Sequence, residues 1–239
     1  MHIPDGYLGP ETYGSFWAAM LALWYLAGRE LKKTIKAADA PLLALGAAAS
    51  FVVMMFNVPI VGGTSGHATG AMLLAIVLGP WAAFICMSIA LAVQALLFGD
   101  GGITSYAANC FNMAFAGVFA GWAVYRLLAG HRETLPKKGK RKNKKILFAA
   151  GCGAYFGINA AAFLTALELG IQPLIAKGAD GRPLYSPFPL KVTIPAIMAG
   201  HLTLFGFAEV AFTVLSVAYI LKSHPELIHG ADAAGGQQR

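Results

Sequence analysis

Apolar runs long enough to cross a bilayer make up most of this chain, and that requirement limits the folds open to it. A helical span needs about 20 mostly apolar residues, because the hydrocarbon core is about 30 Å thick and each helical residue rises about 1.5 Å. Five runs satisfy this at sight: Gly14 to Leu31, Pro41 to Ile60, Ile103 to Leu128, Ile146 to Gly170 and Val192 to Leu221. A sixth region, Ala68 to Phe98, is interrupted by Gly79-Pro80. Only 12% of the residues are charged and 57% are of the apolar types, against about a quarter charged in a soluble domain. The expected fold class is an all-α integral membrane protein. A disordered chain and a disulfide-stapled secreted module are both excluded, since Cys86, Cys110 and Cys152 all fall inside apolar runs.

Gly79-Pro80 decides the topology. A proline after a glycine suits a turn between two helices, which makes seven spans. Arg29, Lys32, Lys33, Lys36, the cluster from Arg126 to Lys145, Lys222 and Arg239 then lie on one side, while Lys177, Arg182 and Lys191 lie on the other. This asymmetry places the amino terminus outside and the carboxyl terminus in the cytoplasm, in a prokaryotic cell membrane. The net charge of +7 is therefore read as membrane orientation, with no nucleic-acid partner. Residues 1–222 form one polytopic domain, 129–145 a basic cytoplasmic linker and 223–239 a disordered tail. The first 13 residues have no basic region and contain two prolines, so no signal peptide is expected and Met1 stays in the mature protein.

With a turn at Gly79-Pro80, Ala68 to Leu78 reaches only about 16 Å as a helix and cannot span alone. The segment 57–67, from Asn57 through Gly62-Gly63-Thr64-Ser65-Gly66 to His67, must dip inward from the outer face. Irregular backbone at such depth is tolerated only when it is buried in protein or lines a polar cavity. Its ordinary alternative is a structural Gly-rich turn.

A free terminus with histidine second offers three nitrogens in sequence: the Met1 amine, the His2 amide once deprotonated, and the His2 imidazole. Amine and amide close a five-membered ring on a metal, and amide and Nδ1 a six-membered ring, nearly coplanar because the peptide is planar. A metal favouring a square-planar nitrogen field, Ni(II) or Cu(II), gains enough to displace the amide proton. His67, on the inward-dipping outer loop, is the candidate for the fourth corner, and residues 1–13 form the metal-binding segment. Singly, His2 also reads as a solvated terminal residue and His67 as a helix start.

The sequences MHIPDGYLGP, VGGTSGHATGA and QALLFGDGGITSYAANCFNMAF resemble the NikM/CbiM family, the substrate-capture components of nickel and cobalt energy-coupling-factor transporters. The resemblance is most distinctive over Met1 to Leu128. It implies a six-helix capture fold plus an extra amino-terminal helix, and metal ligation by Met1, His2 and His67. It also implies partners: a transmembrane coupling protein, two ABC-class ATPase subunits and often a small accessory membrane protein. This chain has no Walker A sequence, so it is expected to be no enzyme. Four nitrogens in a plane favour Ni(II) over Co(II) as cargo, with Co(II) the alternative.

Other polar residues are expected in supporting roles. Asp100, in an outer turn, is read as an acceptor for an imidazole N–H or as a plain turn residue. Gln94, Asn109 and Asn112 inside apolar spans, with Asn57 and Ser65 in the loop, are read as braces for the terminus or loop, or as interhelical hydrogen bonds. Glu209, near the middle of the last run, must face protein or water. Ala44/Ala48 and Gly46/Ser50 offer a surface for close helix approach. His131, His224 and His229 receive no metal. The rival from another class is an intramembrane serine protease using Ser65 and His201, which leaves the Met-His terminus without a role.

Overall fold

The computed structural model describes residues 1–34, 39–130 and 140–228. Its helices are α1 (Pro10–Thr34), α2 (Ala40–Met54), α3 (Ala71–Leu78), α4 (Pro80–Phe98), α5 (Tyr106–Ala129), α6 (Lys140–Ile175) and α7 (Leu190–Ser223). Gly79-Pro80 does separate two helices. Gly79, at φ 88°, ends α3, where its N–H bonds the Ala75 carbonyl, and Pro80 opens α4 at its first position. Glycine ends a helix with positive φ at little steric cost, and proline starts one because its missing N–H has no partner there anyway.

Among the described residues four helices, α4, α5, the stretch Asn143–Ile175 of α6, and α7, are long and apolar enough to cross a membrane. Their outward faces carry large apolar side chains such as Leu97, Leu127, Phe148, Phe207 and Leu215, while Gln94, Asn112, Thr165, Glu168, His201 and Glu209 are buried. Apolar outside and polar inside is the distribution that a lipid solvent selects. The chain is a multi-pass membrane protein. Part of the basic linker (131–139) and most of the tail (229–239), with His131 and His229, lie outside the described residues; Pro225–Leu227 is a single 3₁₀ turn.

Three wide turns with i→i+5 bonding interrupt the long helices, at Gln94–Phe98, Cys110–Gly117 and His201–Phe205. Each contains one of the buried polar side chains Gln94, Asn112 and His201. Widened turns of this kind occur often near functional sites.

The second apolar run was expected to be helical to Ile60, but α2 stops at Met54. Pro59 disfavours helix for the residue before it. Val58–Ile60 and Thr64–Gly66 instead form a two-stranded antiparallel hairpin, β1 and β2, pairing Val58 with Gly66, Pro59 with Ser65 and Ile60 with Thr64. The inward segment expected to be irregular is thus a hairpin that satisfies part of its own backbone. His67 leaves β2 directly.

α6 packs against α5 and α7, α3 sits among α4, α5 and α6, and α1 lies on α4 and the start of α5. The indoles of Trp17 and Trp24 flank Tyr106 and bond the Thr104 carbonyl (2.9 Å) and the Ser88 hydroxyl (3.0 Å). The Gly46/Ser50 face of α2 is buried inside this chain, with Gly46 against Leu74, Leu78 and Cys86. A close approach of two helices, backbone against backbone, is elsewhere, between α5 and α6. A Cβ on Gly121 would sit 2.6 Å from the Gly153 carbonyl oxygen, and one on Gly157 2.6 Å from that of Gly117.

Backbone lies on backbone along this seam, so neither side can yield to a larger residue. Gly121→Leu should abolish monodisperse folded protein in detergent, as read by size-exclusion chromatography. Gly14→Leu, at a position where an added Cβ meets nothing within 4 Å, should leave the profile unchanged. A normal Gly121→Leu profile would contradict this packing.

Candidate metal-binding site

Residues 1–5 run into the molecule as an extended segment, and two features of α4 and α5 receive them. At the end of α4, Gly99 adopts φ 65° and the Asp100 N–H returns to the Gln94 carbonyl at 3.1 Å, which sets Gln94 and Asp100 side by side. At the start of α5, Ser105 and Asn109 share one helix face. The Ile3 carbonyl accepts from the Gly102 N–H (2.9 Å), the Ser105 hydroxyl (2.5 Å) and Asn109 Nδ2 (3.1 Å), while the Ile3 N–H donates to Asn109 Oδ1 (2.8 Å). Asp5 accepts from the N–H groups of Ile103 (3.0 Å) and Thr104 (2.8 Å) and from the Thr104 hydroxyl. A Cβ on Gly102 would meet Asp5 at 2.4 Å, so only glycine lets the segment lie this close.

Held there, the terminus meets the loop. The Met1 amine lies 3.0 Å from His67 Nε2 and 3.3 Å from the Ser65 hydroxyl, and it also donates to the Ser65 carbonyl. The Thr64 hydroxyl donates to the His2 carbonyl (2.8 Å), and the rings of His2 and His67 stack with centroids 4.7 Å apart. Met1 and His67 are fully buried and His2 is 3% exposed.

Hydrogen bonds set the ring nitrogens. His67 Nδ1 donates to the Ala68 carbonyl (3.0 Å), leaving Nε2 with its lone pair toward the amine. His2 Nε2 donates to Gln94 Oε1 (3.1 Å), so Nδ1 is the accepting side of the ring, with the Ser65 hydroxyl at 3.4 Å and Asp100 Oδ1 at 3.3 Å. Among the described residues the His2 backbone N–H has no acceptor. Burial lowers the Met1 amine to about 4, against the pull of Asp100. Burial, and then the neighbouring amine, lower His2 to about 3. Both are neutral donors at neutral pH. Partial burial pushes the Asp100 carboxyl upward, opposed by the terminal amine and by Asn57.

A family described as the CbiM cobalt uptake substrate-specific transmembrane region matches residues 2–227. The chain belongs to that family. It is 46% identical over its whole length to the fused nickel transport protein NikMN of Rhodobacter capsulatus, covering 67% of that protein. It is 44% identical over 94% of its length to a probable fused nickel transport protein, LarMN, of Lactiplantibacillus plantarum, covering 66% of it. The chain therefore spans about two thirds of these fused relatives. A crystal structure of a truncated transition metal transporter superposes with a TM-score of 0.86 at 48% identity, covering 94% of this chain and all of that one.

Against the sequence expectations, the CbiM-family chain brings Met1, His2, His67, Ser65, Gln94, Asp100 and Asn109 together. Asn57 joins through Asp100, Nδ2 to Oδ2 at 2.6 Å. Gln94 and Asp100 both meet the His2 imidazole, Gln94 at Nε2 (3.1 Å) and Asp100 at Nδ1 (3.3 Å). Asn112 braces neither terminus nor loop: its Nδ2 donates to Thr165 (3.2 Å) and Glu168 (2.9 Å) on α6. The Ser65–His201 pair is not formed, since Ser65 faces Met1 and His2 while His201 Nδ1 donates to the Ile197 carbonyl (2.8 Å). Among the described residues no group of three His, Cys, Asp or Glu side chains is set to hold a metal; the convergence is of imidazoles with main-chain and terminal nitrogens.

Sequence reasoning missed Asp5, Ser105 and Thr64, and left Glu209 without a partner. Glu209 accepts from the N–H groups of Thr69 (2.5 Å) and Gly70 (3.0 Å) and from the Thr69 hydroxyl (3.1 Å). It thereby fixes the backbone two residues beyond His67 from a helix 140 positions away. The available signal was that Thr69-Gly70 opens an apolar helix with no acid of its own.

Removing Glu209 leaves two buried N–H groups without acceptors, at about 1–3 kcal/mol each. In Glu209→Ala, amide exchange at Thr69 and Gly70 should accelerate by roughly 100-fold, with α4 to α6 unchanged. Unaltered exchange would show that the loop is held without it.

Proposed function

We propose that this chain is the Ni(II)-capturing component of an energy-coupling-factor transporter. The Met1 amine, the His2 amide and Nδ1, and His67 Nε2 hold the ion in a plane. The observation that carries this reading is the approach of the Met1 amine to the bare His67 Nε2 at 3.0 Å. Two nitrogens bound to adjacent corners of one metal, each about 2.0 Å from it, lie about 2.8 Å apart, so an ion enters between them with little movement. The surroundings of His2 add support. Nδ1, the nitrogen that can close a six-membered ring with the amide, has only the Ser65 hydroxyl and Asp100 beside it, and among the described residues the amide proton has no acceptor to lose.

The names of the fused relatives favour nickel, the description of the family cobalt. The donor set argues for Ni(II), because neutral nitrogens with one deprotonated amide give the strong planar field that this ion favours. Co(II) remains the alternative cargo. The reading includes seven spans in a prokaryotic cell membrane, the terminus outside, and partners comprising a transmembrane coupling protein, two ABC-class ATPase subunits and a small accessory membrane protein.

Titration of purified protein with Ni(II) tests this. His2→Ala and His67→Ala should each abolish tight binding while leaving the chain folded. The pH profile follows from the donors. In the folded protein the amine (about 4) and the His2 imidazole (about 3) are already neutral between pH 5 and 8, so the ion displaces about one proton, from the His2 amide. Affinity should fall about tenfold for each pH unit downward across that window. A flat profile would remove the amide from the ligand set.

A further inference from the structure

Three carboxylates lie around the terminus and the loop, and two are fully engaged. Asp5 is taken up by Ile103 and Thr104, and Glu209 by Thr69 and Gly70. Asp100 differs. Asn57 holds its Oδ2 at 2.6 Å, and its Oδ1 points at His2 Nδ1, 3.3 Å away. His2 Nδ1 and Asp100 Oδ1 therefore face each other beside the Ser65 hydroxyl, an arrangement that becomes more favourable with a cation near both. The Asp100 side chain is 23% exposed, whereas the nitrogens behind it are 0–3% exposed.

We infer that Asp100 is the entry ligand of the site: its carboxylate oxygen receives the hydrated divalent cation from water, passes it to the nitrogens, and stays as the counter-charge of the bound ion. This rests on the nickel-capture reading. Three physical requirements lead to it. A hydrated divalent ion prefers a hard oxygen as its first contact. An anion at the mouth of a low-dielectric site raises the local cation concentration and the association rate. A divalent ion bound to one deprotonated amide carries a net single positive charge, and burial of that charge calls for an adjacent anion. Asn57 fixes the carboxylate so that one oxygen remains free for this task.

The test is stopped-flow mixing of the purified full chain with Ni(II), followed by the absorbance of the bound ion. At about 10 mM ionic strength, where charges act over about 30 Å, Asp100→Asn should lower the association rate by about tenfold or more. It should also flatten the dependence of that rate on salt. The amide keeps an oxygen for Asn57, so the final spectrum of the bound ion should match that of the wild type, and Asp100→Glu should retain the salt dependence. An unchanged association rate in Asp100→Asn would overturn the inference. So would a changed spectrum with an unaltered rate, which would make Asp100 a residue that only orients His2. Absence of Ni(II) binding by the wild-type chain would overturn the nickel reading itself, and this inference with it.

Discussion

The site depends on how Ile3 is held. Its N–H and carbonyl are both bonded to Asn109, and the carbonyl also takes the Gly102 N–H and the Ser105 hydroxyl. These bonds fix the register of the chain two residues before they matter. Met1 and His2 then have one place to go, against Ser65 and His67. A terminal amine is ordinarily the most mobile group of a protein. Here it is fully buried, and the loss of freedom is offset by a set of hydrogen bonds in a site with little water to compete for them.

The loop is held as firmly, by different means. The β1–β2 hairpin pairs Ser65 with Pro59, and Gly66 lies so close to Phe205 that a Cβ would come within 2.0 Å of the ring. Glu209 closes the far side by accepting the N–H groups of Thr69 and Gly70. Metal capture on this reading joins two preformed halves. The terminus is carried by α4 and α5 and the loop by α7, and an ion between them would add to the direct bonds that already join terminus and loop.

Much of the scaffold was legible in the sequence, because the signals are local. Bilayer-length apolar runs located α4 to α7, and Gly79-Pro80 marked a break through conformational preferences that act within two residues. Met1, His2 and His67 were legible as a group because their chemistry is unusual. The hairpin was not, since a strand of three residues shows no periodicity and Pro59 disguises it. The seam of Gly117 and Gly121 with Gly153 and Gly157 was missed because glycine at such spacing is common in an apolar chain and nothing local names its partner. For the same reason Asn112 was left open between a brace for the terminus and an interhelical bond, the role it takes with Glu168, and Glu209 was recognised as costly without its acceptor role being visible. Partners this far apart in the sequence are set by the packing of whole helices.

The central claim is that the convergent nitrogens bind one ion in a plane, and the absorption spectrum of the purified chain loaded with Ni(II) tests it most directly. Four nitrogen donors in a plane, one of them a deprotonated amide, should give a yellow, diamagnetic, low-spin complex. A weakly coloured, paramagnetic, octahedral spectrum would contradict the claim.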